Sequence, residues 1–190
     1  MRIDSATGIT LVLALAMLQG CARSAEHEPS TPAERPADQP AERPASWTMH
    51  VTGYGPMRAG MALAEAERIL GEPLLPKPQG EPCAYVMPWE RPGVAFMVVE
   101  GRIARFDVRA DSVKTDEGAG IGDSEARIHA LYPGRVEVQP HKYVDGHYLI
   151  VRPAATADST FRLIFETDGK RVTTYRSGRL PEVRWIEGCS

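Results

Sequence analysis

Gly122-Asp123-Ser124-Glu125-Ala126-Arg127-Ile128-His129-Ala130-Leu131-Tyr132-Pro133 lies over Gly60-Met61-Ala62-Leu63-Ala64-Glu65-Ala66-Glu67-Arg68-Ile69-Leu70-Gly71 without a gap. Gly122 falls on Gly60, Ile128 on Ala66, Leu131 on Ile69 and Tyr132 on Leu70. In the earlier copy Leu63, Ala66, Ile69 and Leu70 recur at the spacing of one helix face. They sit among good helix formers, and Gly71 and Pro73 stop the helix. In the later copy Ser124 is placed to cap the helix N-terminus, whereas Ala62 leaves the earlier helix uncapped.

Each short helix is followed by strand patterns. After the first come Cys83 to Met87, the continuous apolar run Val94 to Glu100, and Arg102 to Ala110. In the last of these Ala104, Phe106, Val108 and Ala110 alternate with Arg105, Asp107 and Arg109, the period of a half-buried strand with a solvated face. Glu100-Gly101 reads as the hairpin turn before it. After the second helix come Arg135 to Gln139, His147 to Arg152, Thr160 to Thr167, Arg171 to Arg176 and Glu182 to Ile186, with Asp168-Gly169 as a strong turn signal. The expected fold is α+β: two tandem helix-plus-antiparallel-sheet repeats, about residues 53–112 and 119–190, packed as one domain over residues 47–190. Each half alone would be small for a stable core. Ahead of them Gly53-Tyr54-Gly55-Pro56 reads as a turn-rich opening.

The chain begins differently. Ile9 to Leu18 is a short apolar run, well below the roughly 20 residues that a membrane-spanning helix needs. With Arg2 as a positive flank, offset by Asp4, it reads as the apolar part of a signal peptide over residues 1–20. Leu18-Gln19-Gly20-Cys21 resembles a bacterial lipobox, although Gln19 departs from the usual small or β-branched residue. Cys21 is the thiol that would receive lipid. By resemblance to lipoproteins of two-membrane bacteria, Ala22 in place of Asp directs the protein to the outer membrane, with its domain facing the periplasm. The alternative is an ordinary signal peptide cut nearby, with Cys21 incidental. Residues 21–46 form a Pro-rich tether, with Ala-Glu-Arg-Pro-Ala at 33–37 and again at 41–45. Pro blocks helix, and too few large apolar groups remain to make a core. The tether serves as a plain spacer or as reach toward a partner.

A net charge of −3 gives no case for bulk electrostatic binding of nucleic acid, and 43% hydrophobic residues suffice for a core. If Cys21 carries lipid, Cys83 and Cys189 remain, and a pair in an oxidising compartment reads as a disulfide. Two buried free thiols are the other possibility.

Gly60-Met61, Glu65, Leu70-Gly71 and Pro73, followed by antiparallel strands, resemble the small periplasmic domains of the SmpA/OmlA (BamE-like) outer-membrane lipoproteins. Gly122 and Ser124 carry the likeness into the second unit, and a tandem of two is similar to the β-lactamase-inhibitory-protein fold. The resemblance implies a binding or assembly module that uses its sheet face, without catalysis and without a cofactor.

Gly122-Asp123-Ser124 has the look of a hydrolase nucleophile block, but the chain contains no Asp-x-x-His to complete it, and helix capping explains Ser124. Gly118, Gly120 and Gly122 read as a flexible connection, since no parallel βαβ unit surrounds them. His141, Asp145 and His147 are weak candidates for metal ligands around a turn, lacking a fourth ligand at a recognisable spacing. Trp89, in the tight loop Pro88-Trp89-Glu90-Arg91-Pro92-Gly93, is of the type enriched at interface hot spots, with Arg91 beside it; otherwise it folds back over a sheet edge. Arg105, Arg109, Arg162, Arg171 and Arg184 line polar sheet faces, either solvated or meeting an acidic partner. The expected function is therefore non-enzymatic: an outer-membrane lipoprotein, held by its lipid, that binds a periplasmic protein partner. The partner would be an envelope-assembly component or an enzyme to be inhibited. The alternative is a periplasmic metal- or small-ligand-binding lipoprotein using His141, Asp145 and His147.

Overall fold

The computed structural model describes residues 47–190; the expected signal peptide, Cys21 and the Pro-rich repeats lie outside the described residues. The opening stretch is more ordered than its turn residues suggest. Met49–His50 (β1), Gly53–Tyr54 (β2) and Met57–Arg58 (β3) make a small antiparallel sheet. Gly53 is required there, because a Cβ would lie 1.9 Å from the Met57 carbonyl oxygen.

Helix α1 spans Leu63–Leu70 and ends at Gly71, whose φ of 73° lets its N–H close onto the Glu67 carbonyl. Then follow β4 (Leu74–Leu75), β5 (Cys83–Pro88), β6 (Val94–Val99) and β7 (Arg102–Val108). Glu100 and Gly101 both take positive φ, the geometry of the two-residue hairpin turn that matches strand twist. Helix α2 spans Glu125–Leu131, and the Ser124 hydroxyl accepts the Arg127 N–H at 3.2 Å, as capping predicts. The remaining strands are β8 (Val136–Pro140), β9 (His147–Val151), β10 (Phe161–Thr167) and β11 (Val172–Arg179). The stretch read as a last strand is instead a 3-10 turn at Glu182–Arg184.

The expected architecture, two tandem helix-plus-sheet repeats in an α+β domain, is not the one that forms. Strands β4 to β11 join in one eight-stranded antiparallel sheet of order β4-β5-β6-β7-β11-β10-β9-β8. The pairing that decides this is β7 with β11, from Tyr175 opposite Val108 to Gly178 opposite Arg105. It runs across the boundary drawn between the supposed repeats and leaves no seam between two sheets. The helices, eight and seven residues long, are accessories to this sheet rather than a layer of equal weight. The likeness of residues 60–71 and 122–133 reflects two helix starts and stops, not two separately folded units.

One face of the large sheet carries the main core. Phe96, Phe106, Phe165 and Tyr175 are fully buried there against Ala66 of α1, Ile128 and Tyr132 of α2, and Met49, Tyr54 and Met57 of the small sheet. Phe96 and Phe106 meet edge to face with centroids 4.9 Å apart. The opposite face is covered only in part. Residues 180–189 cross it as a strap, and Val183 is the strap's fully buried contact with Tyr148, Ile150 and Ile164. The Cys83–Cys189 disulfide ties the strap to β5, with a Cα separation of 5.4 Å.

Candidate functional site

Alternation and register settle which residues share the strap-covered face. One row runs Ala95, Asp107, Arg176, Ile164, Ile150, Glu137 across five successive pairings. The next runs Tyr85, Met97, Arg105, Gly178, Arg162. Gly178 has no room for a side chain, since a Cβ would stand 2.5 Å from the Ala104 carbonyl oxygen. Met87 lies two residues beyond Tyr85 and pairs with Leu75 of the edge strand, so both sit at the end of this same face.

Under the strap the face is ionic. Arg105 and Asp107, expected on a solvated surface, are 3% and 8% exposed. Arg105 Nε donates to Asp107 Oδ2 at 2.9 Å, and its Nη groups donate to Tyr85 Oη (2.5 Å) and to the carbonyls of Trp185 (2.6 Å) and Glu182 (3.2 Å). Arg176 Nε donates to the Val183 carbonyl at 2.7 Å, and Arg176 also pairs with Glu166. Charged groups leave water only with such partners, and here strap carbonyls supply several of them. Burial, with Asp107 adding to it, raises the Tyr85 phenol above its ordinary range. Arg105 is therefore committed to holding the strap and is not offered to a partner.

Openings on this face include a cleft beside the strap and a hollow at the outer edge. A cleft of about 390 Å³ is lined by Tyr85, Asp107, Arg109, Thr174 and Glu187. Arg109 is exposed there. At the outer edge an apolar hollow of about 870 Å³ is formed by Leu75, Pro76, Met87, Trp89 and Pro92. Leu75 is 49%, Met87 51% and Trp89 86% exposed.

The Trp89 loop is held from beneath. Glu72 Oε2 accepts the backbone N–H groups of Trp89 (2.8 Å) and Glu90 (3.1 Å). Arg91 reaches within 3.7 Å of Glu72 Oε1 and stacks 3.8 Å over the Trp47 ring. Gly93, at φ 103°, abuts Ala110 so closely that a Cβ would come within 2.4 Å of it. Trp89 thus does not fold back over the edge; it projects from a braced loop, while Arg91 is one of the braces. Sequence reasoning missed Glu72, which carries no signal beyond following the helix stop.

The two histidines of the metal candidate are not brought together. His141 stacks on Tyr148 (4.4 Å between centroids) and places Nε2 3.3 Å from Glu166, on the strap side. His147 Nδ1 lies 2.9 Å from Glu125, a residue of α2 on the core side. Burial opposes ionisation of Glu125, yet its hydrogen bonds from Thr167 and His147 leave its carboxyl below the usual range. Asp145 is exposed in the turn. Among the described residues no group of three or more His, Cys, Asp or Glu is placed to hold a metal ion. Arg162 is half-buried, with Nη1 donating to the Ser159 and Phe161 carbonyls (2.6 Å each). Arg171 is tied to the Gly122 carbonyl at 2.7 Å.

Comparison with family models, with curated proteins and with solved structures returns no match. Among the described residues no helix is long and apolar enough to cross a membrane.

Proposed function

We propose that this chain is a non-enzymatic lipoprotein, held at the outer membrane through Cys21, whose domain binds a protein partner in the periplasm with the open part of its large sheet. The observation that carries the reading is Trp89, 86% exposed on a loop pinned by Glu72, beside exposed Leu75 and Met87. Single exposed apolar residues are ordinary, but a contiguous apolar hollow is characteristic of interaction sites. A large aromatic ring on a braced loop gives contact area with little ordering cost, the property of a hot-spot anchor. The resemblance of Gly60-Met61, Glu65, Leu70-Gly71 and Pro73 to lipoproteins that act as binding or assembly modules supports the same reading. The membrane address rests on Leu18-Gln19-Gly20-Cys21 alone.

The test is a photoreactive amino acid placed at residue 87 or at residue 129 of the full chain, irradiated in intact cells. His129 is exposed on α2, on the other side of the sheet. One discrete adduct from 87 and none from 129 is expected. Equal adducts from both positions, or none from either, contradict the proposal. In parallel, labelled palmitate should enter the chain and fail to enter Cys21→Ser.

A further inference from the structure

We propose that a second cleft, between the strap and the β8–β9 hairpin, is a pocket for an apolar carboxylate: the final residue of a partner polypeptide, with its free carboxylate. The cleft has a volume of about 280 Å³. Its floor and wall are apolar, formed by Tyr148, Ile150, Ile164 and Ile186. The charged residues that line it, Lys142, Arg176 and Arg184, are all cationic. Ligand pockets for whole small molecules run from about 300 to 1,000 Å³, so this one suits a single residue better than a cofactor. One apolar side chain ending in a carboxylate matches both the floor and the rim, and capture of a chain end is a recurrent mode of peptide recognition.

A second observation points to an anion. The register that pairs Leu163 with Val151 brings Arg162 opposite Arg152 one step further on, next to Ile150 and Ile164 on the same face. Like charges directly opposite on a sheet are unfavourable. Among the described residues neither of these arginines nor Arg184 has an ion-pair partner, and the buried Nε of Arg162 has no hydrogen-bond acceptor. Burial and then the nearby Arg184 charge make the Arg162 guanidinium easier to deprotonate than usual. Three acids stand near the rim: Glu166 pairs with Arg176, Glu187 pairs with Lys142, and Glu137, opposite Ile150, accepts from Gln139 and offsets part of the Arg162 charge without forming an ion pair with it. An incoming carboxylate would relieve the repulsion and share the free donors of Arg184, in the fork geometry that arginine offers.

The inference rests on the protein-binding reading only in choosing a polypeptide as the source of the carboxylate. It is tested with the full-length lipoprotein in detergent micelles, titrated with acetyl-alanyl-leucine bearing either a free carboxylate or a terminal carboxamide, and with octanoate. Amide shifts are followed by nuclear magnetic resonance. The free acid should perturb residues 140–150 and 184–186 and bind at least tenfold more tightly than the carboxamide. Arg184→Gln, an exposed position, should remove that preference, and Arg162→Gln should weaken it. Equal affinity for acid and carboxamide, or no perturbation by either, overturns the pocket. Octanoate binding as tightly as the peptide overturns the polypeptide assignment. None of these failures would remove a photoadduct at residue 87, so they are distinguishable from failure of the broader proposal.

Discussion

The two faces of the large sheet solve different problems. The helix side is a dry apolar core in which Phe96, Phe106, Phe165 and Tyr175 pack under two helices and the small sheet. The strap side holds Arg105, Asp107, Arg176 and Glu166, satisfied by one another and by strap carbonyls, and is open on both flanks of the strap. Hydrophobic burial is non-directional and drives folding. Ion pairs under a strap contribute little net stability but are costly to break. The contrast gives folding to the first face and leaves the second open for the recognition proposed above.

Four sets of substitutions would break or sharpen this contrast. Phe106→Ala on the helix side should cost about 4–5 kcal/mol, because the ring is fully buried between Phe96 and Tyr54; denaturant unfolding measures it. A loss below about 1 kcal/mol would mean that the core lies elsewhere. Removing the disulfide by Cys83→Ser with Cys189→Ser opens a closure of 106 residues and should cost on the order of 4 kcal/mol. Hydrogen exchange should then rise first in residues 180–189 rather than in β6 or β7.

Asp107→Ala strands the Arg105 charge in a buried place and should cost about 3 kcal/mol, whereas Arg105→Met with Asp107→Leu should recover part of that loss, the Trp185 and Glu182 carbonyls having lost their donor. If the double change is no better than the single one, the charge-pairing account of this face is wrong. Trp89→Ala should change stability by no more than about 0.5 kcal/mol and yet abolish the photoadduct at residue 87. A large loss of stability would make Trp89 a structural residue.

Much of the secondary structure was legible, and for local reasons. Seven of the longer strands begin and end within a few residues of where alternation and turn chemistry place them, from Cys83–Pro88 to Val172–Arg179. Ser124 caps its helix as its chemistry requires. What the pattern could not carry was non-local. Whether eight strands make one sheet or two depends on β7 meeting β11, and alternation inside either strand is the same in both cases. Arg105 and Asp107 look solvated because charged residues usually are; the strap that covers them lies more than seventy residues later in the chain. The two-residue strands β1 to β4 are too short to show a period. At the candidate site Trp89 was legible as a loop aromatic, but its exposure depends on Glu72 and Arg91 gripping the loop from below. His141 and His147 stand close in sequence and end on opposite sides of the sheet, which spacing alone does not reveal.

The most direct test of the division of labour is a footprint in living cells. Single cysteines at Met87, Arg109 and His129 of the full chain are labelled with a small polar maleimide that crosses the outer membrane, and the rates are compared with those of the purified protein. The account predicts strong protection in cells at 87 and 109 and none at 129. Equal rates in cells and in solution at all three positions would contradict it.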